Sequence, residues 1–205
     1  MFKVIITGFE PYWDYSDNSS WAVAKEVAAY FVDGVDISIE QMPVIFSRVA
    51  YSLREAIEKR NPNLIIMLGQ SGGSDKVKLE RVALNMMDAK LADNDGYIPN
   101  EEPIDEGGDS ALFCNLPIKA LRGKIEEQGV KVKISNSCGL YVCNRLYYEA
   151  LSRCKEQQMR AIFVHLPFYE GQSSAKSGKP TMPLAEMVKA VQTIIKEIYD
   201  KNREV

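Results

Sequence analysis

The sequence predicts a three-layer α/β sandwich with a mostly parallel central sheet flanked by helices. Short apolar runs without polar alternation, at residues 3–9, 63–69 and 160–167, are what strands covered on both faces require. Segments with apolar residues at helical spacing lie between such runs, so strands and helices take turns along the chain. At 205 residues the chain suits one domain, 1–205, able to bury roughly 70% of its extended surface. No internal repeat divides it.

The first strand runs into an aromatic loop, Glu10-Pro11-Tyr12-Trp13-Asp14-Tyr15. Asn18, Ser19 or Ser20 can cap the first helix, whose stripe is Trp21, Val23, Ala24, Val27, Ala28 and Phe31, with Gly34 as its stop. Residues 35–44 read as a second strand and 46–59 as a second helix. The strand at 63–69 delivers Gln70-Ser71-Gly72-Gly73-Ser74, which lacks the Lys-Ser/Thr end of a phosphate loop and any G-x-G-x-x-G. Backbone approach to a small ligand is the expectation there. Residues 78–90 are β-like, and in one continuous strand Glu80 shares a face with Val82, Leu84 and Met86. An acid on an apolar face needs a partner. The alternative is a surface carboxylate at a strand end.

Residues 91–108 form a loop whose acidic run is expected on the solvated surface rather than as a lid. A helix at 118–128, ended by Gly129, precedes an alternating strand at 130–135. That strand leads into Ser135-Asn136-Ser137-Cys138-Gly139-Leu140-Tyr141-Val142-Cys143-Asn144, then a helix to about Arg153. The strand at 160–167 carries the single histidine, His165, at its carboxyl end. After a small-residue loop, the final helix at 183–201 turns Leu184, Met187, Val188, Val191, Ile194, Ile195 and Ile198 inward.

A net charge of −3 with dispersed lysines and arginines gives no basic face for nucleic acid and none for an anionic membrane. No run approaches the roughly 18 apolar residues of a membrane span, and the N-terminal stretch reads as a strand rather than a signal. Cys114, Cys138, Cys143 and Cys154 contain no C-x-x-C pair, which predicts free thiols and a cytoplasmic protein. One histidine excludes a histidine-rich zinc site, and no metal or cofactor is expected.

Cys143 falls in the first turn of its predicted helix, where unpaired N–H groups and the helix dipole favour a thiolate. It also belongs to an apolar stripe with Leu146, Tyr147, Ala150, Leu151 and Cys154, so a core role competes with a nucleophilic one. Ligands of open α/β sheets bind outside the carboxyl ends of the strands, which gathers Phe9, Gln70, Cys143 and His165. A histidine ending a buried strand can take the thiol proton, with a carboxylate orienting its other nitrogen. Glu80 is the best-placed candidate.

Six ordered motifs then carry a resemblance over nearly the whole chain. They are Thr7-Gly8-Phe9-Glu10-Pro11, Gly69-Gln70-Ser71-Gly72-Gly73, Leu79-Glu80-Arg81-Val82-Ala83-Leu84-Asn85, Asp93-Asn94-Asp95-Gly96-Tyr97, Ser135-Asn136 with Gly139 and Val142-Cys143-Asn144, and Phe163-Val164-His165-Leu166-Pro167. The sequence resembles the pyroglutamyl peptidase type I family of cytosolic cysteine peptidases. The resemblance implies a Glu80, Cys143 and His165 triad that removes N-terminal pyroglutamate from peptides through a thioester. It implies a lactam pocket lined by Phe9, Tyr12, Leu91, Tyr141 and Val142, with Gln70 supplying hydrogen bonds. It also implies a homo-oligomer.

Three stretches depart from the family's pattern. Tyr12-Trp13-Asp14 replaces Phe-Gly-Gly, Asn18-Ser19-Ser20 replaces Asn-Pro-Ser, and Asp88-Ala89-Lys90-Leu91-Ala92-Asp93-Asn94 replaces Asp-Ala-Arg-Ile-Pro-Asp-Asn. Lys90 keeps a charge but lacks the planar fork of arginine. The altered aromatic loop motivates the alternative function, a catalytically weak small-molecule binding protein on the same scaffold.

Overall fold

The computed structural model describes residues 1–30, 32–172 and 178–203. In chain order the elements begin β1 (Phe2–Phe9), α1 (Ser19–Ala28), β2 (Val35–Met42), α2 (Phe46–Arg60) and β3 (Leu64–Gln70). Next come β4 (Val77–Glu80), β5 (Val82–Leu84), β6 (Ala111–Phe113), α3 (Ile118–Glu127), β7 (Val132–Ser135) and α4 (Val142–Glu156). The chain continues through β8 (Arg160–Leu166), β9 (Phe168–Tyr169), β10 (Thr181–Met182) and α5 (Leu184–Arg203).

Six strands form one sheet in the order β2-β1-β3-β8-β4-β7. All neighbouring pairs are parallel except β4 with β8, so β4 and β7 run against the other four strands. The expected three layers follow from which residues each face buries. Val23 and Val27 of α1, Leu121 and Ile125 of α3, and Met187, Val191, Ile194, Ile195 and Ile198 of α5 cover one face. Val49, Leu53 and Ile57 of α2 and Leu146, Tyr147, Ala150 and Leu151 of α4 cover the other. Buried on both sides, β3 is apolar from Leu64 to Leu68 without alternation.

The capping expectation is met at Asn18, whose side chain accepts a hydrogen bond from the Ser20 N–H at 3.0 Å. Helix α1 stops at Ala28, before the expected Gly34, and Phe31 lies outside the described residues.

The continuous strand expected at 78–90 does not form. The main sheet holds only β4, while β5 turns away to pair with β6 in a separate two-stranded antiparallel sheet. Arg81 is the pivot. Its N–H still donates to Ser135 at 2.8 Å, but its carbonyl accepts from Cys114, also at 2.8 Å. Glu80 therefore shares no continuous strand face with Val82, Leu84 and Met86.

Gly72 and Gly73, where the sequence suggested backbone approach to a small ligand, do not line the cavity that holds Gln70. A Cβ on Gly72 would lie 2.6 Å from the Phe168 ring, so this glycine exists for packing.

In the loop at 91–108 Glu101, Asp105 and Glu106 of the acidic run are exposed as expected, while the start of the loop is anchored. Asp93 is buried, and its Oδ2 accepts the Phe46 N–H at 2.9 Å, capping α2 from a distant part of the chain. Its Oδ1 accepts from the N–H groups of Asp95 and Tyr97. Asn94 ties the same turn to Glu10 Oε1 at 2.8 Å and to the Pro11 carbonyl at 3.0 Å. These bonds hold residues 88–91 beside the end of β1, where they wall the cavity described next.

Candidate active site

His165 is the second-last residue of β8, and the antiparallel register places it opposite Lys78. Glu80, two residues further along β4, is its diagonal neighbour on the same face. Glu80 Oε1 lies 2.8 Å from His165 Nδ1. Both are buried, Glu80 completely. The Tyr147 hydroxyl donates to the Glu80 backbone carbonyl at 3.0 Å, which fixes the end of β4 against α4. A carboxylate accepts only, so the bond places the imidazole proton on Nδ1 and leaves a lone pair on Nε2. Gly69 sits beside this ring in β3; a Cβ there would lie 2.7 Å from Phe163 and 3.0 Å from His165.

Cys143 is the second residue of α4, at the helix start where the sequence placed it. Burial, then the negative charge of Glu80, pushes its thiol up to about 12, while its own backbone N–H pulls the other way. A helix N-terminus stabilises a charge by up to about 2 kcal/mol, and here desolvation outweighs it. Burial and the Glu80 charge therefore work against the thiolate that the helix start favours.

Cys143 and His165 face one cavity of about 360 Å³. Phe9, Tyr12, Gln70, Leu91, Tyr141 and Val142 line the same space, so every sequence-assigned pocket residue is brought together there. Glu80 stands behind His165 and does not line it. Phe9 and Val142 are buried walls, whereas Leu91 is 53% exposed and belongs to the rim. Burial raises the Tyr12 phenol above its ordinary value, so it stays a neutral hydroxyl.

Gln70 is a buried polar group of the cavity. Its Oε1 accepts from the Ser19 N–H at 2.9 Å and from Gln172 Nε2 at 2.6 Å. Two donors on one oxygen settle the amide orientation and turn Nε2 towards the Tyr12 hydroxyl at 3.4 Å.

Among the described residues no three His, Cys, Asp or Glu side chains converge as metal ligands, and no helix is long and apolar enough to cross a membrane. All four cysteines are free.

A family model described as "Pyroglutamyl peptidase" matches residues 2–201. The chain belongs to the pyroglutamyl peptidase family. It is 37% identical to the pyrrolidone-carboxylate peptidase of Klebsiella pneumoniae (strain 342), over 95% of this chain and 92% of that protein. The crystal structure of pyroglutamyl peptidase I from Bacillus amyloliquefaciens superposes with a TM-score of 0.88 at 34% identity, over 94% of both chains. That of pyrrolidone carboxyl peptidase from Thermococcus litoralis gives 0.93 at 30% identity, over 100% of this chain and 96% of that one.

Several site residues of this pyroglutamyl peptidase family chain escaped the sequence reading. Gln172 gave no signal, being one amide in a small-residue loop. Asn144 follows Cys143 in a motif but received no role. It is fully buried, its Oδ1 accepts the Leu84 N–H at 2.9 Å, and its Nδ2 donates to the Leu84 and Met86 carbonyls at 2.8 and 2.9 Å. It thereby fastens the chain beyond β4 to the Cys143 helix. Cys138, which the sequence marks only as one of four free thiols, also lines the cavity and is buried. Trp13, where the family pattern has glycine, takes φ 52, a left-handed conformation that glycine adopts freely.

Proposed function

We propose that this chain is a cysteine exopeptidase that removes N-terminal pyroglutamate from peptides, with Cys143 as nucleophile, His165 as proton carrier and Glu80 as its orienting carboxylate. The observation that carries the assignment is the 2.8 Å Glu80–His165 bond beside a cavity that also holds the Cys143 thiol.

The lactam lies among Phe9, Tyr12, Tyr141 and Val142, with Gln70 Nε2 donating to its carbonyl. A small, neutral, flat ring suits apolar walls and one placed donor. Cys143 Sγ attacks the scissile carbonyl as its proton passes to His165 Nε2. The Cys143 N–H, without an intrahelical partner at the second helical position, donates to the developing oxyanion. Collapse returns the proton to the leaving amine and leaves a thioester. A water, deprotonated by His165, then releases pyroglutamate. Glu80 holds Nδ1–H throughout and stabilises the transient imidazolium.

Family membership and this constellation favour the peptidase over a weak binding protein. The single six-stranded sheet supports reading residues 1–205 as one domain. Free thiols support a cytoplasmic setting, and the net charge of −3 supports the absence of a nucleic-acid or membrane partner. A homo-oligomer rests on the resemblance, and Phe113, 69% exposed on β6, is the kind of group an interface would cover.

Release of a fluorophore from a pyroglutamyl amide by the reduced, folded protein tests the function. Turnover is expected with the pyroglutamyl amide and not with the prolyl amide, which leaves Gln70 unpaired. Equal turnover of both, or none of either, contradicts the assignment.

A further inference from the structure

The Trp13 indole is not part of the lactam enclosure described above. It lines the cavity but is 50% exposed, whereas Phe9 is 3% exposed. It therefore sits at the mouth, where a peptide must leave once its first ring is seated against Gln70. The indole is held in place from several sides. Its Nε1 donates to the Ala92 carbonyl at 3.1 Å, and the Tyr141 hydroxyl donates to the same oxygen at 2.8 Å. Ring contacts to Tyr12 at 4.8 Å, Tyr141 at 5.8 Å and Tyr15 at 6.4 Å fix it further. A bulky residue at φ 52 is strained, and such strain persists only where the surroundings impose it.

On the basis of the peptidase reading, we propose that Trp13 forms the subsite for the residue that follows pyroglutamate and selects aromatic side chains there. An aromatic leaving-group residue gains an offset or edge contact on a ring that is already immobilised, so little conformational freedom is lost on binding. The neighbouring rim groups Lys90 and Leu91 offer no second aromatic surface. An alanine in that place gains nothing from the indole. The contact concerns the departing amine, so it is released after acylation and is not retained through thioester hydrolysis.

The test compares kcat/KM for pyroglutamyl-phenylalanine amide and pyroglutamyl-alanine amide in wild type, Trp13→Gly and Trp13→Phe. Wild type is expected to favour phenylalanine by about 3- to 10-fold. The ratio should fall close to one in Trp13→Gly and be largely kept in Trp13→Phe. Each ratio is taken within one preparation, so loss of folded protein cancels. An unchanged ratio in Trp13→Gly, or no preference in wild type, overturns the proposal. Absence of turnover with both peptides contradicts the peptidase reading itself. The dissociation constants of the same two peptides for the same three proteins then decide the role of Trp13 by the same ratios.

Discussion

Glu80 and His165 meet as a diagonal pair across the one antiparallel junction of the main sheet, 2.8 Å apart and shielded from solvent. Were β4 parallel to β8, the carboxylate would arrive from the opposite direction. The break at Arg81 completes the placement by ending β4 at Glu80 and sending the chain into the β5–β6 ribbon. The thiol-bearing helix lies over the same face, and Tyr147 and Asn144 bind it to both sides of that break.

Glu80→Gln tests the tautomer argument. An amide that donates to Nδ1 moves the imidazole proton to Nε2, so His165 can no longer accept from Cys143. We expect kcat to fall by about 10²- to 10⁴-fold with KM little changed, measured by steady-state kinetics on a pyroglutamyl amide. A loss confined to KM contradicts the orienting role.

The raised thiol predicts a distinct pH dependence. Alkylation of Cys143 by iodoacetamide, followed by peptide mass spectrometry, should quicken with each step from pH 7 to pH 10 without levelling, because the thiolate fraction is still growing. A plateau already present at neutral pH would mean a resting thiolate. Stability has a matching sign. Cys143 and Cys154, both pushed up to about 12 by burial, keep their protons in the folded state at pH 10, where the unfolded chain has largely lost them. The unfolded state then binds fewer protons, so stability declines as pH rises above about 9. Urea unfolding at pH 8 and pH 10 measures the decline, and Cys143→Ser should lessen it.

Gln172→Leu removes one of the two donors that orient Gln70. The expected result is a rise in KM of about 3- to 10-fold, the scale of one neutral hydrogen bond, with kcat nearly preserved. Comparison with Gln70→Leu separates positioning from direct contact, since the direct loss should be larger.

Asn144→Leu leaves the part-buried Leu84 N–H and the Leu84 and Met86 carbonyls without their side-chain partner. The cost should be about 2–4 kcal/mol of unfolding free energy, read from urea melts. A value within 0.5 kcal/mol of wild type, the range usual for surface substitutions, contradicts the clamp.

Features carried by local pattern were legible in the sequence. The apolar runs of β1, β3 and β8, the stripes of α4 and α5, and the placement of Cys143 and His165 at element ends all follow from periodicity and chain order. Glu80 was found for a partly mistaken reason. Its face was inferred from a strand that in fact stops at Glu80, yet an acid among apolar residues still signalled a buried partner. The reversed direction of β4 and β7 was not legible, because register and direction are decided by which strands meet, not by their residues. The burial that opposes a Cys143 thiolate was hidden for a related reason. A helix start is visible locally, while desolvation of the sulfur appears only once α4 is packed against β4 and β8. The role of Gln172 and the capping of α2 by Asp93 arise from contacts between distant segments and leave no local trace.

The central claim is that Cys143 rather than its cavity neighbour Cys138 is the nucleophile, and a paired substitution tests it most directly. Both thiols line the cavity, and burial raises both, so geometry and chemistry must be separated by turnover. With a fluorogenic pyroglutamyl amide, Cys143→Ser should abolish release in a sample whose unfolding curve matches wild type, while Cys138→Ser should retain activity. Activity lost in Cys138→Ser and kept in Cys143→Ser would contradict the account.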